Sequence, residues 1–217
     1  VREVHHRIKN NLQGVAGLLK QNAERRPEVA GVLIEAVSQV QAIAQVYGLQ
    51  VGGPLGQTAQ GGPLAVARLV GSIAQAVQRT FGRTIEVQAG TAAHLLPEAE
   101  AIPLALIVNE LLTNAVKHGE GRVVRCQVHD DGAQVCIRVA AAGRLKEGFA
   151  LERVPAGVSG LGLVRALLPR RGAQLTLAAE GGDVVATLRL QPPSVRLAEA
   201  AAPARSPADG VVATTPG

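Results

Sequence analysis

Two apolar stripes with helical spacing dominate the first fifty residues and constrain how this part of the chain can fold. In the first stripe, apolar side chains recur every three or four residues, at Val4, Ile8, Leu12, Val15 and Leu19. A second stripe follows a break at Pro27, at Val29, Leu33, Ala36, Val40, Ile43 and Tyr47. This heptad-like spacing predicts an antiparallel hairpin of two helices over residues 1–50. Because two helices alone bury little apolar surface, we expect two copies of the chain to form a dimeric four-helix bundle.

The first helix carries two histidines, and the helical phase separates them. At about 100° per residue, His6 lies roughly 170° from the centre of the apolar stripe, whereas His5 lies about 70° away. His6 is therefore predicted to face solvent and His5 to lie at the edge of the packed seam. Glu3 and Asn10, each about one turn from His6, could orient an attack of its imidazole on a phosphoryl group. On the helical phase alone, the alternative is a solvated polar helix face on which the histidines have no function.

The composition indicates which kinds of partner and which cellular compartment to expect. The 217 residues carry a formal net charge of +5 but contain only two Phe, one Tyr and no Trp. Without aromatic platforms for bases, a nucleic-acid-binding surface is not expected. Cys126 and Cys136 are interpreted as buried free thiols rather than a disulfide or a metal site. We recognise no signal peptide and no apolar run long enough to span a bilayer, so we expect a cytoplasmic protein without a membrane segment.

A second unit follows the hairpin. Residues 51–62 are rich in Gly and Pro and are typical of a linker, and residues 63–191 are expected to form the unit itself. Helical patterns at 64–81, 102–118 and 161–171 alternate with strand patterns at 84–89, 122–128, 134–139, 174–178 and 184–190. Pro103 is expected in the first turn of its helix. The fold class is therefore α+β, a helical hairpin followed by an α/β sandwich. Residues 192–217 are expected to be a disordered tail.

A cluster of polar residues interrupts the helix predicted at 102–118. Glu110, Asn114, Lys117 and His118 are spaced to share one helical face, and Asn109 precedes them. Oxygen ligands four residues apart can hold Mg²⁺ together with water. A Lys and a His one turn later can contact phosphate oxygens. We interpret this face as a functional site, with a solvated polar surface as the alternative.

The two polar segments together resemble a known family. The run His6-Arg7-Ile8-Lys9-Asn10-Asn11-Leu12-Gln13 resembles the H-box of sensor histidine kinases whose motif is H-R-x-K-N-N-L-Q. Residues 109–118 resemble the N-box of the same family, and the sheet-and-helix unit resembles the Bergerat-type ATP-binding domain of the GHKL superfamily. The resemblance covers residues 1–190.

This resemblance implies roles for particular residues. His6 would be the phosphoacceptor, in agreement with the helical phase. Asn114 would hold Mg²⁺ with help from Glu110, and Lys117 and His118 would lie near the phosphates of ATP. The implied partners are a second copy of the chain and the receiver domain of a response regulator.

The family's first glycine box, D-x-G-x-G, is degenerate in this chain. Its aspartate, which reads the adenine amino group, corresponds to Ala141, and Gly143 matches the first glycine. The second glycine is lost in a one-residue deletion. An alanine cannot accept the adenine hydrogen bond, and a buried amino group left unpaired costs about 1–3 kcal/mol.

The second glycine box allows two alignments. An ungapped alignment matches Gly160 to a glycine that opens a helix, where its backbone N–H can meet a phosphate. The alternative matches both Gly160 and Gly162 to family glycines and requires a two-residue deletion in the helix.

Two functions are consistent with these motifs. In the first, the chain is a histidine kinase core that autophosphorylates on His6 from ATP and passes the phosphoryl group to a response-regulator aspartate. In the second, it is a histidine phosphotransferase or pseudokinase that uses the same His6 relay but binds no ATP effectively, because Ala141 replaces the aspartate.

Overall fold

The computed structural model of the protein describes residues 2–51, 64–90, 94–130 and 132–197. The linker expected at 51–62 falls outside the described residues except for residue 51. The tail expected at 192–217 falls outside them except for residues 192–197.

The N-terminal unit is a hairpin of two long helices, α1 (Arg2–Arg25) and α2 (Ala30–Val51), joined by a 3-10 turn at Pro27–Val29. The apolar side of α1 that packs on α2 consists of five buried or half-buried residues, Ile8, Leu12, Ala16, Leu19 and Ala23. This set differs from the predicted stripe, because the two small alanines, rather than Val15, allow the helices to approach.

A second apolar strip on α1 remains outside the hairpin. Val4, Val15 and Leu18 are 56%, 46% and 63% exposed, and Val29 and Val32 beside them are 40% and 70% exposed. One chain therefore buries only one flank of the apolar surface that the sequence pattern places on these helices.

The second unit combines three helices with eight strands within the described residues. The helices are α3 (Val66–Phe81), α4 (Glu98–His118) and α5 (Gly160–Leu167). The strands are β1 (Leu64–Ala65), β2 (Thr84–Ala89), β3 (His94–Leu96), β4 (Val123–Asp130), β5 (Val135–Ala142), β6 (Ala173–Glu180), β7 (Asp183–Leu190) and β8 (Arg196–Leu197). Five strands form the main sheet in the order β2-β4-β5-β7-β6, in which only β2 and β4 are parallel. A small antiparallel sheet has the order β1-β3-β8.

The apolar core lies between the helices and the main sheet. Its fully buried side chains come from both layers and include Leu69, Ile73, Ile107, Leu112, Ile137 and Leu188. Strand β5 alternates buried and half-buried residues along its whole length. Such alternation is expected of a sheet that is covered on one face. The hairpin followed by an α/β sandwich confirms the predicted fold class.

Two helix boundaries differ from the sequence-based expectation. Helix α4 begins at Glu98, so Pro103 lies inside the helix rather than in its first turn. Glu98 and Glu100 favour this earlier start because carboxylates stabilise the positive end of the helix dipole. Helix α5 ends at Leu167 rather than at residue 171, because Pro169 disfavours a helical conformation at the residue before it.

The first residues of the expected tail are folded. Val195 is fully buried, and the hydroxyl of Ser194 donates a hydrogen bond of 2.8 Å to the carbonyl of Arg171. Residues Arg196–Leu197 form β8 and pair with β3. The expectation of disorder is therefore wrong for 192–197, where one apolar side chain that reaches the core outweighs the Pro-rich composition.

Two of the described helices are long and apolar enough to cross a membrane by length and composition, over Pro27–Gln50 and Glu98–His118. In the second, 61% of the most apolar window is buried inside the protein. The apolar character of α4 is thus accounted for by its position in the core.

Candidate functional site

A cavity of about 540 Å³ opens between the C-terminal half of α4 and the main sheet. Its floor is apolar and is formed by Leu111, Val139, Ala141, Leu177, Val184 and Ala186. The segment after β5 closes one side with Phe149, and Leu161 of α5 closes another. Asn114, His118, Arg144 and Lys146 supply the polar side chains of the lining, and none of the lining residues is acidic. The cavity therefore combines an apolar interior with a basic rim, which suits an anionic ligand that has an apolar part.

The backbone at the end of β5 is already paired. Glu120 N donates to Ala142 O at 2.7 Å, and Gly143 N donates to Gly182 O at 3.1 Å. A Cβ built at Gly119 would lie 2.9 Å from the Cβ of Ala141 and would overlap the carbonyl of Ala115. A glycine is required at this position because the end of α4 passes directly over β5 there.

The opposite side of α4 contacts the hairpin. Ser38 Oγ donates to Asn109 Oδ1 at 2.7 Å, and the ammonium of Lys117 pairs with the carboxylate of Glu35. On a helical wheel the residues that contact α2 centre roughly 135° from those that line the cavity. The polar residues that were predicted to share one face of α4 therefore lie on two sides of the helix. One side contacts α2 and the other lines the cavity.

Glu110 joins three elements. Its Oε1 accepts a hydrogen bond of 2.9 Å from Gln39 Nε2 of α2, and its Oε2 accepts one of 2.8 Å from the backbone N–H of Gly160. Gly160 is the first residue of α5 and has a φ of +58°, a left-handed conformation that favours glycine. One carboxylate thus links the hairpin, α4 and the start of α5.

Burial raises the pKa of Glu110 above its ordinary value of 4.5. The hydrogen bonds from Gln39 and Gly160 act in the opposite direction, since they stabilise the charged form, but burial outweighs them. The contact between α2 and α4 also contains two buried polar atoms without a hydrogen-bond partner among the described residues, Asn109 Nδ2 and Thr113 Oγ1. This interface is therefore polar and incompletely satisfied, unlike the apolar core beside it.

The two histidines of α1 have different surroundings. The ring of His5 lies 5.5 Å from that of Tyr47 on α2, whereas His6 is exposed. Their positions agree with the helical phase. Glu3 forms an ion pair of 2.6 Å with Arg7, and Asn10 is exposed.

The structure therefore brings together only part of the predicted site. Asn114, His118 and Gly143 line the cavity, together with Ala141. Asn109, Glu110, Lys117 and Gly160 instead belong to the contacts with the hairpin and α5. Sequence reasoning missed Arg144 and Lys146 at the rim and Ser38 and Gln39 on α2. The basic pair directly after Gly143 was a usable signal, whereas nothing in the pattern of α2 pointed to α4.

We predict that Glu110→Gln removes a pH dependence of stability. A raised pKa means that the folded state binds the proton more tightly than the unfolded state does, so this stabilisation is complete below pH 4.5. It is lost as the pH rises through the raised pKa. The free energy of unfolding of the wild type relative to Glu110→Gln should accordingly fall above pH 4.5, as measured by urea titration from pH 4 to pH 8. The exposed Glu24→Gln variant is the control, and a flat difference for Glu110→Gln would contradict this assignment.

Comparisons with known proteins agree with the geometry. A family model described as histidine kinase matches residues 3–50, and one described as histidine kinase-like ATPase domain matches residues 75–182. The sensor histidine kinase PdtaS of Mycobacterium tuberculosis is 30% identical over 195 residues, which cover 77% of this chain and 34% of that protein. PdtaS of Mycolicibacterium smegmatis is 27% identical over 188 residues, with the same coverage. The chain thus spans about one third of the length of these curated relatives.

A solved structure matches over most of both chains. The histidine kinase domain of the blue-light-activated histidine kinase EL346 of Erythrobacter litoralis superposes with a TM-score of 0.58 and 26% sequence identity. The match covers 87% of this chain and 89% of that one, and so includes both the hairpin and the sandwich. The chain belongs to the histidine kinases of the GHKL superfamily.

Proposed function

We propose that this chain is the core of a sensor histidine kinase that autophosphorylates on His6 and passes the phosphoryl group to an aspartate of a response-regulator receiver domain. The observation that carries the proposal is an exposed imidazole on the hairpin helix α1 in the same chain as a cavity with a basic rim. The exposure of His6 matters because both the phosphoryl donor and the receiver domain must reach it.

The chemistry assigned to His6 is nucleophilic substitution at phosphorus. An unprotonated ring nitrogen forms the P–N bond while the bond from phosphorus to the departing ADP oxygen breaks, and the other ring nitrogen releases its proton to solvent. The receiver aspartate then attacks the same phosphorus, and the P–N bond breaks as the other ring nitrogen takes a proton from solvent, so that neutral imidazole leaves. Asn10 is free to orient the ring, whereas Glu3 would have to exchange its ion pair with Arg7 for His6.

The cavity suits the phosphate part of ATP. Arg144 and Lys146 give the rim a positive charge that favours phosphate oxygens, and a ring N–H of His118 can donate a hydrogen bond to them. Mg²⁺, when bound, would neutralise phosphate charge, and the side-chain oxygen of Asn114 is a suitable ligand alongside water. Glu110 would act as second ligand only by sharing oxygens that already accept hydrogen bonds from Gln39 and Gly160. Within the described residues no cluster of three His, Cys, Asp or Glu side chains could hold a metal.

Lys117 and Asn109 are better explained as docking residues than as phosphate ligands. Each contacts α2, through Glu35 and Ser38 respectively, and neither lines the cavity. Their proposed role is to hold the hairpin against the ATP-binding domain.

A second copy of the chain is the proposed partner of the hairpin. The exposed strip of Val4, Val15 and Leu18 continues onto Val29 and Val32 and is the kind of apolar surface that a four-helix bundle covers. His6 lies on another flank of α1, so this arrangement would leave it accessible. The proposed compartment is the cytoplasm, which agrees with Cys126 being a buried free thiol.

One observation favours the phosphotransferase or pseudokinase as a second candidate. Ala141 in the floor of the cavity offers no acceptor for the adenine amino group. If ATP binding is too weak, His6 would receive its phosphoryl group from one receiver domain and donate it to another.

We predict that incubation with γ-labelled ATP and Mg²⁺ labels the wild type at an acid-labile site. His6→Gln should abolish the label because it removes the nucleophile. His5→Gln is the matched control and should keep the label, since His5 packs beside Tyr47. No label on the wild type would contradict the kinase. A receiver domain charged with acetyl phosphate then tests the second candidate, which is wrong if His6 stays unlabelled.

We also predict that Leu18→Asp weakens dimerisation at least about tenfold, because a charge in an apolar contact must be desolvated. Sedimentation equilibrium of the full chain measures the effect. Gln13→Asp, an exposed position about 140° from Leu18 around α1, should leave the dimer intact. A monomeric wild type, or equal dimerisation of the wild type and Leu18→Asp, would contradict the proposed interface.

A further inference from the structure

The sheet side of the cavity contributes no side-chain group that could accept a hydrogen bond from a ligand. The lining residues of the sheet have Leu, Val and Ala side chains, whereas Asn114 and His118, which could accept one, lie on α4. Ala141 is 4% exposed and offers only a methyl group. Beside it, the carbonyl of Ala142 already accepts a hydrogen bond from Glu120 N.

Such an interior distinguishes ligands poorly by their hydrogen-bonding groups. Strong discrimination arises when a buried protein group pairs with one ligand and is left unpaired by another. An apolar pocket has no such group, and its discrimination between molecules of similar shape stays small.

Phe149 supplies the remaining contact for a ring. It is half-buried in the lining and is the one aromatic residue among the lining side chains. Stacking on an aromatic ring is tolerant of base identity because every base presents a π-face. The binding energy therefore depends on the basic rim, where His118, Arg144 and Lys146 meet an anionic group whatever ring is attached.

We propose that this cavity binds purine nucleoside triphosphates without distinguishing the group at C6 of the base, so that ATP and inosine triphosphate bind equally well. Inosine triphosphate carries an oxygen where adenine carries its amino group and otherwise has nearly the same shape. The inference rests on the proposal that the cavity holds a nucleoside triphosphate, and it makes the phosphates, rather than the base, the basis of recognition.

Calorimetric titration of the full chain with ATP, inosine triphosphate and AMP in the presence of Mg²⁺ tests the inference without any catalytic readout. We expect dissociation constants for the two triphosphates within about threefold of each other, and AMP at least about tenfold weaker. A wild type that binds ATP at least about tenfold more tightly than inosine triphosphate would overturn the proposal. Failure to bind either triphosphate would overturn it as well.

Two matched variants test whether residue 141 is responsible. Ala141→Asp places an acceptor in the floor and should shift the ratio toward ATP by about tenfold or more. Ala140→Asp adds the same charge one residue away, at a position outside the cavity lining, and should leave the ratio near one. An unchanged ratio in a folded Ala141→Asp protein, judged by its thermal melt, would overturn the assignment. If that variant does not fold, the ratio of the wild-type dissociation constants for ATP and inosine triphosphate tests the proposal by itself.

Nucleotide selectivity and labelling of His6 are measured separately. A wild type that selects ATP and labels His6 leaves the histidine kinase standing and overturns the inference. Equal binding of both triphosphates without any labelling of His6 supports the inference and contradicts the kinase.

Discussion

The carboxylate of Glu110 joins the two units where the hairpin, α4 and the start of α5 meet. It accepts one hydrogen bond from Gln39 of the hairpin and one from the backbone of Gly160 at the start of α5. Burial works against the charge that these two donors favour. The result is a polar junction beside an apolar core, in which removal of the carboxylate would take the acceptor from both donors, Gln39 Nε2 and Gly160 N–H.

Helix α4 forms part of the cavity on one side and contacts the hairpin on another. One side of α4 forms a wall of the cavity through Asn114 and His118, and the other side docks α2 through Asn109 and Lys117. Because a helix moves as a rigid rod, a shift of the hairpin along α4 would also be felt at the cavity wall and at Gly160. The helix that forms a wall of the cavity therefore also contacts the hairpin that carries His6.

Much of this architecture was predictable from local patterns. Helical phase separates His6 from His5, and the alternation in β2 and β5 identifies the strands. The early start of α4 and the buried Val195 escaped prediction because acidic residues before Pro103 and one core contact outweighed the local Pro signals. The site was predictable only in part. The residues that surround the cavity follow motifs, whereas the partners of Glu110 come from segments 71 and 50 positions away along the chain.

Exchange of the Gly160 amide hydrogen with solvent reports whether Glu110 joins the hairpin to the start of α5. In the wild type this N–H is hydrogen-bonded to a buried carboxylate and should be protected from exchange with solvent. Gln39→Ala removes the donor to the other carboxylate oxygen of Glu110. We therefore expect faster exchange at Gly160, while amides in the core of the sheet keep their exchange rates. An unprotected Gly160 amide in the wild type, or unchanged exchange in Gln39→Ala, would contradict the account.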